Sequence, residues 1–213
     1  MSASRQVMPV SAILAGFYGK LPARGDFVRF GLPRDFTDPW DSWLQSVIAG
    51  SQAQMGERWL PAFLESPVWR FALPAGLCGS SPVLGLMLPS VDRAGRYFPL
   101  SFAALAPVGD DAPEMPEAAA WLDRCEAAGR TALEHDATPE QIAAMLGSPR
   151  FRPPATSLSH SLWWTEGSPR VPPSRFAHQV MPDAAAYATM LGAGQPGSDA
   201  AETAGCVAWG PSS

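Results

Sequence analysis

The fold is decided by the stretch at residues 83–105, VLGLMLPSVDRAGRYFPLSFAAL. Two apolar runs, Val83–Leu88 and Tyr97–Leu105, flank a turn in which Asp92 suits the first position and Gly95 a positive φ angle. The first run is almost continuously apolar, as expected for a strand that is covered on both faces. The stretch therefore predicts two antiparallel strands joined by a hairpin.

A second loop with similar punctuation occurs near the N-terminus, at residues 16–28, GFYGKLPARGDFV. A strand at Ile13–Tyr18 is expected to lead into this loop, where we expect Gly19 and Gly25 to fix the backbone, Gly25 with a positive φ angle like Gly95. Loops on a rigid scaffold often carry function. The candidate partner-binding residues are therefore the charged side chains of the two loops: Lys20, Arg24, Asp26, Asp92 and Arg96.

Helices are predicted before and after the strands along the chain. Asp38 is a suitable N-cap and Pro39 suits the first helical position, so Asp41 would lie at N3 and favour the helix dipole. This helix would carry an apolar stripe formed by Trp40, Trp43, Leu44, Val47 and Ile48. Further helices are expected at residues 57–64, 117–134, 138–147 and 183–191.

The elements predict an α/β (α+β) fold with a central antiparallel meander sheet, to which Val68–Leu73 contributes a third strand, flanked by helices. We expect a flexible N-terminus at residues 1–11, a core domain at residues 12–147 and a Pro-rich extension packed on the core at residues 148–213. The extension holds a strand candidate at Leu158–Thr165, whose Trp163-Trp164 pair we assign to the core, and a possible terminal strand at Cys206–Trp209.

Composition narrows the possible functions. The formal net charge of −5 disfavours a nucleic-acid-binding surface, and no apolar run is long enough to insert into a membrane. Three widely spaced cysteines fit reduced thiols in a cytoplasmic protein. His135-Asp136 is better explained as the end of a helix than as a catalytic dyad. We find no catalytic or metal-binding motif and expect no cofactor.

Several spaced motifs carry a family resemblance. The two charged loops, with WDSWLQ at residues 40–45 and PVWRF at residues 67–71 between them, resemble the TagF family of type VI secretion-associated proteins in Gram-negative bacteria. The resemblance covers about Gly16 to Leu100. It implies a longin-type fold and a non-enzymatic post-translational repressor that acts through a forkhead-associated scaffold protein. It marks as structural motif residues Gly19, Gly25, Trp40, Asp41, Trp43, Trp69 and Gly95.

The hypotheses of a regulatory docking protein and of an enzyme remain open at this point, with a structural subunit of the secretion machine as a third, weaker one. The charged loops could form a rigid docking surface, or their charges could brace each other by internal ion pairs. Alternatively, the chain could be a small hydrolase that uses Asp26 and Asp92, with Lys20 or Arg96, around a bound anion. The hydrolase requires the two loops to converge in a cleft.

Overall fold

The computed structural model describes residues 13–105, 115–147, 149 and 159–193. Seven strands form one sheet: β1 (Leu14–Gly19), β2 (Val28–Phe30), β3 (Trp69–Leu73), β4 (Val83–Leu88), β5 (Leu100–Leu105), β6 (Ser161–Thr165) and β7 (Ser174–His178). The helices are α1 (Arg34–Met55), α2 (Trp59–Leu64), α3 (Met115–His135), α4 (Pro139–Leu146) and α5 (Ala184–Met190), and a short 3₁₀ turn (Gly56–Arg58) separates the first two.

The sheet is antiparallel throughout, with strand order β2-β1-β5-β4-β3-β6-β7. The predicted α/β fold with a central antiparallel sheet is confirmed, and β3, β4 and β5 form the expected meander. β5 begins at Leu100 rather than at the predicted Tyr97, because Pro99 has no N–H to donate to a strand ladder. Tyr97 instead forms an isolated bridge with Val91. The longin-like assignment stays a prediction.

Both faces of the sheet are covered at its centre. Side chains alternate along each strand, so Phe71 packs on one face and Ala72 on the other. Helices α1, α2 and α5 cover the face of Phe71 in one hydrophobic cluster, and α3 and α4 cover the opposite face in a second. All six residues of β4 are buried as a result, which explains its continuous apolar sequence.

Helix α1 confirms the predicted stripe but begins earlier than expected. Trp40, Leu44, Val47 and Ile48 are buried, and Trp43 is half-buried. The predicted start at Asp38 is wrong, because the helix begins at Arg34, where Phe36 and Thr37 are buried and Asp35 accepts hydrogen bonds from Ser80. The N-cap residue, Pro33, makes no side-chain capping hydrogen bond, so these tertiary contacts hold the first turn instead.

The C-terminal residues add to the same sheet. Strand β6 lies within the predicted Leu158–Thr165 segment and pairs with β3, and Trp163 is buried as expected. Asp183 caps α5 by accepting a hydrogen bond from the Ala186 N–H at 2.8 Å. The predicted terminal strand at residues 206–209 and the flexible N-terminus lie outside the described residues. The division into core and extension stays a prediction.

Candidate functional site

The two charged loops converge at one end of the sheet. Because β1 runs antiparallel to β5, with Tyr18 opposite Ser101, the loop after β1 lies beside the β4–β5 hairpin. We call residues 19–27 and 90–96 the paired loops. Their backbones are joined directly, since the Arg93 N–H donates to the Arg24 carbonyl at 3.0 Å. The Ser90 hydroxyl also donates to a backbone carbonyl across the loops, that of Lys20, at 2.7 Å.

Asp92 lies at the centre of the paired loops. Its Oδ1 accepts the N–H groups of Ala94 and Arg96, both at 2.9 Å, and its Oδ2 accepts Lys20 Nζ at 2.8 Å and Arg96 Nε at 2.7 Å. The side chain is fully buried. Burial alone would raise the pKa of Asp92, but the hydrogen bonds from Lys20, Arg96 and Ala94 hold it well below its usual range. Asp92 is therefore an ionised structural anchor with no oxygen left for a reacting group.

Lys20 and Arg96 serve the same anchor. Lys20 is 5% exposed, and its ammonium lies 5.1 Å from the centre of the Phe27 ring, a cation–π contact in addition to the ion pair. Arg96 spans the two loops, because its Nη2 also donates to the Gly25 carbonyl. Of the candidate charges, Lys20 and Arg96 thus brace the paired loops by ion pairs to the buried Asp92, although the Arg96 side chain is itself 59% exposed.

The glycines of the paired loops differ from one another. Gly95 has a φ of +78°, as predicted, within a turn closed by its N–H donating to the Asp92 carbonyl at 2.9 Å. The predicted positive φ of Gly25 is wrong, because the loop turns there without entering the left-handed region and leaves open space around the residue. Gly19 is the more demanding position: its φ is +140°, and a Cβ there would collide with the Pro99 carbonyl oxygen.

Asp41 has a different role from the one predicted. Since α1 begins at Arg34, Asp41 is not at N3, and its Oδ1 instead accepts the Tyr18 hydroxyl at 2.7 Å. Burial and this hydrogen bond raise the pKa of Tyr18. Tyr18 stacks on Phe27 with ring centres 5.7 Å apart, which couples α1 to the first paired loop. Tyr18 and Asp41 both lie in motifs that stand out in the sequence, but nothing in the sequence predicts that they are in contact.

The motif tryptophans each donate an indole hydrogen bond that holds the fold. Trp40 Nε1 donates to Ser101 Oγ at 3.0 Å, Trp43 Nε1 to the Pro182 carbonyl at 2.7 Å, and Trp69 Nε1 to the Met190 carbonyl at 3.1 Å. Two of these bonds reach the C-terminal residues of the described chain. The assignment of these three tryptophans as structural residues fits this geometry, because the indole N–H of a buried tryptophan needs an acceptor.

Other charges of the paired loops remain at the surface. Arg24, Asp26 and Arg93 are exposed, and no ion pair is found for any of them within the described residues. Hydrogen bonds from the Glu140 backbone N–H and from the Thr138 side chain lower the pKa of Glu140 on α4, and the charge of Arg24 adds a smaller effect in the same direction. Arg93 is an exposed charge that sequence reasoning did not single out.

The described residues contain no group of three or more His, Cys, Asp and Glu side chains that could hold a metal ion. Cys78 and Cys125 are buried free thiols, and Cys206 lies outside the described part of the chain. Within that same part, no helix is both long enough and apolar enough to cross a bilayer. His135 is exposed at the end of α3, which matches its structural explanation.

Comparison with known protein families shows that residues 16–148 match a domain that is associated with the type VI secretion system. That domain is the TagF N-terminal domain, and because the match covers more than half of the chain, the protein belongs to the TagF family. The chain is also similar to the crystal structure of PA0076 from Pseudomonas aeruginosa PAO1, with 33% identity, a TM-score of 0.72, and coverage of 90% of this chain and 99% of that chain. Comparison with the curated proteins gives no match.

Proposed function

We propose that this protein is a non-enzymatic cytoplasmic regulator that represses type VI secretion after translation by binding a forkhead-associated scaffold protein. Its membership of the TagF family supports a role in type VI secretion. The repressing action and the scaffold partner are what the resemblance to TagF proteins implies. A protein that acts by binding a partner needs neither a substrate nor a cofactor.

The paired loops support docking because they combine a fixed backbone with free charges. Lys20, Asp92 and Arg96 hold the loops together by ion pairs, whereas Arg24 and Arg93 are exposed and have no ion pair within the described residues. A partner that binds there would meet charges on a backbone that is already held in place, which lowers the entropy lost on association. This division between ion-paired and unpaired charges is the observation that carries the proposal.

The geometry gives the hydrolase hypothesis little support. A general base must accept a proton from a reacting group, but both oxygens of Asp92 are occupied by internal donors. The other proposed carboxylate, Asp26, is exposed on the loop surface. The two loops do converge, as the hydrolase requires, but they converge on an ion pair that fills the space between them.

The test is reversal of the two exposed charges, Arg24→Glu with Arg93→Glu. Arg175→Glu is the matched control, because Arg175 is an exposed arginine on β7 at the opposite edge of the sheet. In the native bacterium we expect the double variant to bind the scaffold protein less well and to release secretion, with a normal amount of soluble protein. The control should repress like the wild type. Full repression by the double variant would contradict the proposal.

A further inference from the structure

Among the strands that the structure describes, β2 is the last one at one edge of the sheet, and it comes directly after the first paired loop. A Cβ built on Gly16 would collide with the Phe30 carbonyl oxygen, so that carbonyl points towards β1. Backbone groups alternate in direction along a strand, which means that the N–H and C=O of Arg29 point away from β1. Unpaired groups at a sheet edge are a template for an added strand.

The side chains around this edge are unusual for a protein of net charge −5. Phe27 and Phe30 are 44% and 40% exposed, although edge strands usually avoid large apolar surface. Arg24, Arg29 and Arg93 are exposed as well, and the described residues offer none of the three an ion-pair partner. The exposed carboxylates of Asp26 and Glu140 offset part of this charge, so the edge is apolar and carries an excess of arginines.

The two kinds of side chain lie on different faces. Phe30 is opposite Phe17 in the register and stacks on it at 5.4 Å, on the face of α3 and α4. Arg29 is opposite Tyr18 and therefore points to the face of α1. A strand added beside β2 would present alternate residues to these two faces. The complementary strand has apolar residues at one set of positions and acidic residues at the other.

We propose that β2 accepts an extended segment of the partner protein, with alternating acidic and apolar residues, as an eighth strand of the sheet. This inference rests on the proposed function, because the segment would continue from the paired loops onto β2. Main-chain hydrogen bonds to Arg29 would supply affinity, and the arginines and the Phe30 ring would select the sequence.

The probe is a short synthetic peptide of alternating glutamate and valine, titrated into the full chain while backbone amide shifts are followed by NMR. We expect the largest shifts at the amides of Arg29 and Phe30. A lysine–valine peptide of the same length should bind much less. Arg29→Glu should weaken binding by about fivefold, the effect of a single exposed ion pair, whereas Arg175→Glu should leave it unchanged.

A second pair of variants separates the charge from the backbone. Arg29→Gln and Arg29→Pro both remove the positive charge, but only the proline variant also removes the outward N–H, a change that an edge strand tolerates. Binding should be weaker in Arg29→Pro than in Arg29→Gln. Equal binding by these two variants would overturn strand addition, and thermal melts would confirm that both are folded.

Three other results would overturn the inference: equal binding of the lysine–valine peptide, shifts centred on β7 instead of β2, or a concentration-dependent dimer that pairs β2 with a second copy. The inference can fail while the proposed function stands. In that case Arg24→Glu with Arg93→Glu releases secretion, but the glutamate–valine peptide does not shift β2. If the proposed function fails instead, the glutamate–valine peptide still binds at β2, but Arg24→Glu with Arg93→Glu leaves repression unchanged.

Discussion

Replacing Lys20 by methionine removes one charge from the paired loops but keeps an apolar stem of similar length. The variant loses a buried hydrogen bond of 2.8 Å between charged groups, worth about 1.5–3 kcal/mol. Asp92 keeps its three other donors, so the larger penalty for an isolated buried ion does not apply. We therefore expect Lys20→Met to lower the free energy of unfolding by about 2–3 kcal/mol.

Urea unfolding followed by tryptophan fluorescence measures this change directly. Arg93→Met is the control, because Arg93 is exposed in the neighbouring loop and its replacement should change the free energy of unfolding by no more than about 0.5 kcal/mol. The same unfolding midpoint for Lys20→Met and Arg93→Met would refute the argument that the internal ion pair stabilises the loops.

The effect of Lys20→Met should also depend on pH. The hydrogen bonds hold the pKa of Asp92 in the folded chain below the ordinary value of 3.8. A lowered pKa contributes stability that is complete above the unfolded value and is lost as the pH falls through it towards the folded value. The difference in unfolding free energy between wild type and variant should therefore be full at neutral pH and narrow below about pH 4. A constant difference would place the effect of Lys20 outside the ion pair.

Three further results are expected. Gly95→Val should cost about 1 kcal/mol or more through strain at its positive φ, whereas Gly25→Val should leave the melting temperature nearly unchanged. Trp40→Ala should lower the urea unfolding free energy by roughly 3–5 kcal/mol, because the side chain is fully buried. Neither Cys78 nor Cys125 should react with a thiol reagent in the native chain, since burial raises the pKa of Cys78 to about 12; labelling mapped by mass spectrometry would contradict this.

The centre of the fold could be predicted from the sequence because its elements are long and strongly patterned. β4 is apolar throughout since both of its faces are covered, and the stripe of α1 repeats with the helical period. The two edge strands were missed for the opposite reason. β2 has only three residues and β7 has partly exposed, mixed side chains, so pairing with a neighbour rather than local pattern makes them strands.

The start of α1 was mispredicted because a local rule was overridden by distant contacts. Asp38-Pro39 is a good helix start on sequence grounds, but Pro39 lies inside the helix. A proline there loses the bond that its N–H would have given to the Asp35 carbonyl. Burial of Phe36 and the hydrogen bonds between Asp35 and Ser80 hold the earlier turn in place. Neither contact can be read from the residues next to Pro39.

The candidate site was predictable in its residues but not in their roles. Both charged loops could be identified from their glycines, prolines and charges, but their meeting depends on β1 pairing with β5, a contact between distant segments. Once the loops meet, Asp92 is enclosed and must be paired, so it binds the buried Lys20 and the Nε of Arg96, whose side chain stays partly in solvent. In the docking that we propose, exposed charges such as Arg24 and Arg93 meet the partner, and their reversal should change binding without removing an ion pair from the fold.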